Sequence, residues 1–170
     1  DSGENSIVVA SGANLNLAPR DVEKYLMKLE NIGIILMQLE IPIDTVKFIV
    51  NYAYKHGIKV ILNPAPSNPL VTELFHMIDI ITPNSNEAEM LTGIAVVDIK
   101  SAHKAAKHLH QQGVKNVAIT LGSKGAVLLN EHGFHEVPAT KVDAIDTTAA
   151  GDVFNGALAV AVSEGKDLLS

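Results

Sequence analysis

The run Ile32-Gly33-Ile34-Ile35-Leu36-Met37-Gln38-Leu39, followed by Ile43 to His56 and then by Lys59-Val60-Ile61-Leu62, decides the fold. The first and third pieces are short, apolar and rich in β-branched residues, as strands covered on both faces are. Between them Ile43, Val46, Ile49, Val50 and Ala53 recur at helical spacing. That pattern stops at Gly57, where a left-handed cap carries no Cβ penalty. Strand, helix, strand is a βαβ unit, whose two strands run parallel.

The alternation continues outward in both directions. Residues 6–10 read as a possible strand, and residues 18–29 as a helix entered through Pro19, a good first-turn residue. The turn Asn63-Pro64-Ala65-Pro66 must end the strand at 59–62, because neither proline can donate to a ladder. Beyond it the pattern predicts a short helix over 70–77, a strand over 78–82, and a helix opened by Asn84 and closed by Gly93. A helix over 99–112 ended by Gly113, a strand over 116–121, two strand-like runs at 126–130 and 134–137, and a last helix from near Gly151 complete the reading. The expectation is one α/β domain over 1–170, built on a mostly parallel sheet.

Composition narrows the partners. With 47% hydrophobic residues, 170 residues can bury a real core. A net charge of -6, from 19 acidic against 13 basic residues without a basic run, leaves no electrostatic footprint for nucleic acid or an anionic membrane, so a small molecule is the expected partner. The chain has no cysteine, which excludes disulfides, thiol catalysis and zinc–thiolate sites and is compatible with a cytoplasmic location. Its apolar runs are too short to span a bilayer, and nothing resembles a signal peptide. Position 1 is Asp rather than Met, and the last residues stop inside a helical pattern without a cap, so the chain is expected to be a piece of a longer one.

Ligands of open parallel sheets bind outside the carboxyl ends of the strands, which directs attention to the junctions at Glu40, Asn63, Asn84, Gly122 and Asp146. The segment Asp146-Thr147-Thr148-Ala149-Ala150-Gly151-Asp152 leads straight into a helix. Its small residues let backbone N–H groups approach an anion, and the helix dipole favours a charged Asp152 in the first turn. An ionised carboxylate beside an anion hole suits proton abstraction during phosphoryl transfer, whereas a Thr-capped helix start is the structural alternative. Asn84-Ser85-Asn86-Glu87 is spaced as a capping box and equally as a phosphate ligand followed by a carboxylate for a metal-bound water. Thr120-Leu121-Gly122-Ser123-Lys124-Gly125 is a tight turn able to wrap a nucleotide or simply to join strands; it is neither a Walker A loop nor a dinucleotide fingerprint. Glu40 at a strand end can bind sugar hydroxyls or be a solvated residue before a helix. The seven histidines form no metal pattern; His108 and His110, two apart on a helix, cannot face one site.

Met37-Gln38-Leu39-Glu40, Asn63-Pro64-Ala65-Pro66, residues 79–84, Glu87-Ala88-Glu89, Thr120-Leu121-Gly122 and the block from Asp146 to Leu158 together resemble the ribokinase branch of the ribokinase-type carbohydrate kinases. The similarity runs from about Gly12 to the end of the chain. It implies a three-layer Rossmann-like fold, incomplete here, and ATP-dependent phosphorylation of the primary hydroxyl of ribose, with another sugar or a nucleoside as the nearest alternative. A nucleotide-binding module without catalysis is the alternative from outside the enzymes.

By that resemblance Asp152 is the base, and Ala150, Gly151 and the Asp152 amide form the anion hole. Glu40 holds the sugar, Asn84 the phosphates, and Thr120, Leu121, Gly122, Ser123, Lys124, Gly125 and Gly151 line the nucleotide. Glu87 acts on Mg²⁺ through water, while Asp146 and the Thr148 carbonyl match the site of an activating monovalent cation, K⁺. Many family members have Gly where this chain has Ala149. The family's N-terminal sugar-binding motifs, its β lid and its C-terminal segment do not occur in this sequence, so these 170 residues alone are expected to turn over ribose negligibly. The resemblance also implies a homodimer formed through that lid in the full-length protein.

Overall fold

The computed structural model describes residues 11–169. The possible strand at 6–10 lies outside the described residues. A 3-10 turn over Gly12–Asn16 precedes helix α1 (Pro19–Leu26), and strand β1 (Ile34–Met37), helix α2 (Ile43–His56) and strand β2 (Lys59–Leu62) follow. A 3-10 segment, Pro69–Met77, leads to β3 (Ile80–Ile81), α3 (Ser85–Thr92), α4 (Ile99–Gln111) and β4 (Asn116–Thr120). The antiparallel pair β5 (Ala126–Asn130) and β6 (Gly133–Val137) and the helix α5 (Ala150–Ser163) complete the order.

The six strands form one open sheet in the order of the chain. β1 to β4 are parallel neighbours, with Ile34 opposite Lys59, Ile61 opposite Ile80 and Ile80 opposite Asn116; β5 and β6 continue antiparallel. Strand alternation sorts the side chains onto two faces. Met37, Val60, Leu62, Ile81, Val117, Ile119, Val127 and Leu129 meet the apolar stripes of α2, α3, α4 and the 3-10 segment in one buried cluster. Ile61, Ile80, Ala118 and Leu128 are buried on the opposite face, where α5 lies. There Asn155 of α5 reaches Thr82, just beyond β3, and Val162 shares a groove with Ile80 and Asn116. The sequence therefore sits in three layers, with the sheet in the middle.

Several elements are shorter than their patterns predict, for local reasons. α1 stops at Leu26 rather than residue 29, because the Lys28 N–H tightens onto the Tyr25 carbonyl three residues back and Asn31 (φ 59) reverses the chain. The 78–82 strand shrinks to two residues. Ile78 N–H is spent on Phe75, and the Asp79 side chain accepts from Val60 N–H in place of a ladder carbonyl. α2 is capped by Gly57 at φ 67 and α3 by Gly93 at φ 71, as the glycines predict.

Candidate active site

The carboxyl ends of the parallel strands open into a cleft of about 270 Å³. Gln38 and Glu40 enter it after β1, Asn63 after β2, Thr82, Asn84 and Glu87 after β3, and Thr120 from β4; residues 147–152 with Phe154 and Asn155 form the opposite wall. An isolated parallel bridge between Asn84 and Thr120 carries the β3–β4 pairing past the end of β3 and holds those two residues side by side. Thr120, Gly122 and Gly125 also line an adjoining, more apolar cleft with Val137, Pro138, Ala150, Gly151 and Phe154.

The start of α5 is not a Thr cap. Ala149 occupies the cap position in the left-handed region, at φ 60 and ψ 10, with no side-chain cap bond. The loop before it is shaped instead by Asp146, whose Oδ1 accepts from Thr148 N–H at 2.8 Å. That bond and one with the Thr148 side chain hold the Asp146 carboxyl below the usual carboxylate range. Of the three amides assigned to the anion hole, Ala150 N–H is donated to the Thr147 carbonyl at 3.2 Å. The N–H groups of Gly151 and Asp152 have no acceptor among the described residues and stand at the positive end of the helix dipole. Asp152 itself is exposed at the mouth of the cleft, and its Oδ1 accepts from Gln38 Nε2 at 2.7 Å.

Asn84 and Glu87 form the reciprocal capping box that their spacing predicts, since Glu87 N–H donates to Asn84 Oδ1 and Asn84 N–H to Glu87 Oε2, both at 2.9 Å. Capping does not exhaust either group: the Asn84 amide keeps its NH₂ and Glu87 its second oxygen, and both residues line the cleft. Burial pushes the Glu87 carboxyl up from its ordinary value, against the opposing effect of its hydrogen bonds to Asn84.

Residues 1–169 match the family model described as pfkB family carbohydrate kinase. The chain belongs to that family. It is 47% identical over 165 residues to a ribokinase of Haemophilus influenzae, covering 97% of this chain and 54% of the relative. Identity to a deoxyribokinase of Salmonella typhi is 37% over 159 residues, 93% of this chain and 52% of the relative. The solved structure of Arabidopsis thaliana ribokinase complexed with ribose and ATP matches with a TM-score of 0.83 at 34% identity, covering 98% of this chain and 55% of that one. The chain spans about half the length of the curated relatives it matches.

In this pfkB-family chain the structure brings Glu40, Asn84, Glu87, Thr120, Thr148, Ala150, Gly151 and Asp152 to one cleft. Gly122 and Gly125 face the adjoining one, and Asp146 lies behind Thr148. Leu121, Ser123 and Lys124 line neither cleft. Leu121 packs against the core and donates its N–H to the Gly125 carbonyl, while Lys124 Nζ donates to the Val97 carbonyl at 2.9 Å, so these two brace the turn. Among the described residues no three His, Cys, Asp or Glu side chains gather as a metal cage, and no helix is long and apolar enough to cross a membrane.

Sequence reasoning gave no separate role to Gln38, Asn63, Thr82 or Asn155. Thr82 is 2% and Asn155 4% exposed, and burial that deep obliges polar groups to be paired. Thr82 Oγ1 donates to Asn155 Oδ1 at 2.6 Å, Asn155 Nδ2 to the Gly151 carbonyl at 2.8 Å, and Asn63 Nδ2 to the Thr82 carbonyl at 3.0 Å. The signal of Gln38, Asn63 and Thr82 in the sequence was a polar residue directly after an apolar strand, a pattern that ordinary strand ends share, and Asn155, inside α5, had no such signal.

Proposed function

We propose that this chain carries the phosphoryl-transfer centre of an ATP-dependent sugar kinase that phosphorylates the primary hydroxyl of D-ribose, giving ribose 5-phosphate. The observation that supports this reading most is the placement of the Asp152 carboxylate beside the two unpaired amides of Gly151 and Asp152, in a cleft shared with Asn84, Glu87 and Thr120. The sugar hydroxyl oxygen attacks the γ-phosphorus, its proton passes to Asp152, and the bond from that phosphorus to the bridging oxygen of ADP breaks. The Gly151 and Asp152 N–H groups stabilise charge on the oxygens of the transferred group, where fixed donors act most strongly. Glu40 accepts from sugar hydroxyls, the Asn84 NH₂ donates to phosphate oxygens, and the turn from Thr120 to Gly125 borders the nucleotide.

The residues present fit the two cations such an enzyme uses. Mg²⁺ keeps most of its waters and binds substrate phosphates, so the free oxygen of Glu87, with no carboxylate cage among the described residues, suits it. The Asp146 carboxylate, held ionised by Thr148, and the Thr148 carbonyl suit K⁺. When bound, these ions neutralise charge on the phosphates and on the loop before α5. The chain spans about half the length of the relatives it matches, and our reading is that these 170 residues alone turn over ribose negligibly. Deoxyribose is the second reading, favoured by the 37% identity to a deoxyribokinase.

The test is the Asp152→Asn variant of the full-length protein, assayed for sugar-dependent ADP production with ribose, deoxyribose and fructose. Loss of a general base predicts a fall in kcat of about 10²- to 10⁴-fold with ribose, the best wild-type substrate. An Asp152→Asn protein retaining wild-type kcat would rule out the assigned role, and a preference for another sugar would replace ribose.

A further inference from the structure

A ring of directional hydrogen bonds leads from α5 across three strand ends and back to α5. Asn155 Nδ2 donates to the Gly151 carbonyl, which leaves Asn155 Oδ1 to accept from Thr82 Oγ1. Asn63 Nδ2 donates to the Thr82 carbonyl, so Asn63 Oδ1 faces the other way, toward Gln38. Gln38 therefore turns its NH₂ group inward. One contact, at 3.5 Å, is a long hydrogen bond to Asn63 Oδ1, and the other, at 2.7 Å, is to Asp152 Oδ1. Each amide in the ring has one orientation that satisfies its neighbours, and what finally reaches Asp152 is a donor. Oδ2 of Asp152 is left without a partner among the described residues, and Asp152 lines the cleft.

We propose that Gln38 is a positioning residue for phosphoryl transfer: its side-chain amide, oriented by Asn63, anchors one oxygen of Asp152 so that the other points at the substrate hydroxyl. The proposal rests on Asp152 being the base. It assigns Gln38 no contact with sugar or nucleotide, so its removal costs turnover rather than binding. An untethered aspartate samples several rotamers, and a misplacement of about 1 Å at a reacting group costs up to about 10²-fold.

The experiment compares Gln38→Leu and Gln38→Glu with wild type in the full-length protein, with thermal melting as a check on folding. For Gln38→Leu the expected result is a kcat about 10- to 100-fold lower with KM for ATP and for sugar within about twofold of wild type. Gln38→Glu places two carboxyl groups against each other; they share one proton more readily at lower pH, and the protonated partner again donates to Asp152. Its activity relative to wild type therefore rises between about pH 8 and about pH 6. Glu40 and Glu87, the other ionisable side chains lining the cleft, are the same in both proteins and drop out of that ratio. Wild-type kcat in Gln38→Leu, a defect confined to KM for the sugar, or a flat ratio for Gln38→Glu overturns the proposal. If Gln38→Leu does not fold, the pH ratio of Gln38→Glu decides alone. An inactive Asp152→Asn protein beside a fully active Gln38→Leu protein refutes the positioning role only; an active Asp152→Asn protein removes the premise.

Discussion

Replacing Gly125 by alanine should damage the turn beside the adjoining cleft far more than replacing Gly122, three residues earlier. Both glycines have positive φ, 90° and 58°, so both substitutions strain the backbone, by about 1–2 kcal/mol at Gly122 and by at least as much at Gly125, where ψ is -136°. The larger difference is space. A Cβ on Gly122 meets nothing within 4 Å, whereas one on Gly125 overlaps the Val137 carbonyl oxygen and lies 2.8 Å from Ala139 N and 3.0 Å from Pro138 C. All three are backbone atoms of the segment leaving β6, so no side chain can swing aside. Relief must come from parting that segment from the turn, at the expense of the bond from Leu121 N–H to the Gly125 carbonyl and of the last β5–β6 pair, Ala126 with Val137. Two hydrogen bonds at about 1 kcal/mol each, added to the strain, give about 3–4 kcal/mol for Gly125→Ala against about 1–2 for Gly122→Ala. In urea, with a slope of about 2 kcal/mol per molar, the Gly125→Ala midpoint falls by about 1.5–2 M. Equal midpoints for the two variants would show that the close approach of Gly125 to residues 137–139 is not what shapes this turn.

Two further outcomes follow from the site. Ala149→Gly should stabilise the protein by about 0.5–1 kcal/mol, because relief of a left-handed alanine outweighs the entropy that glycine adds to the unfolded chain; a lower urea midpoint would contradict this. Burial raises the Glu87 carboxyl above the ordinary 4.5 in the folded state, so between the unfolded and folded values the native protein binds more protons. Its contribution to stability is therefore full below the ordinary value and is lost as pH rises through the raised one. Glu87→Gln keeps an oxygen for the Asn84 cap and should flatten that loss, seen as a smaller drop in melting temperature from mildly acid to neutral pH than wild type shows.

The βαβ core was legible because period and punctuation agreed: Ile43–His56 and Lys59–Leu62 are the predicted elements to the residue, with Gly57 between them. Strand ends were not, since Ile78 and Asp79 look like strand yet spend their hydrogen-bonding groups on a preceding turn and on β2. In the site, motif residues such as Asn84 and Asp152 could be found by spacing and resemblance. What spacing could not show is direction. Nothing in the sequence says that Lys124 turns toward Val97 or that Gln38 turns toward Asp152, because each depends on a tertiary neighbour.

The bond between Gln38 and Asp152 joins residues 114 apart in the chain, and that between Thr82 and Asn155 joins residues 73 apart. Contacts of such separation are closed late, after the local helices and neighbouring strands have formed. A partly folded chain can hold every helix and most of the sheet and still lack an aimed carboxylate. In the full-length protein, with Asp152 as the proposed base, recovery of turnover after dilution from denaturant should then lag recovery of the far-ultraviolet signal, making turnover a clock for the last stage of folding.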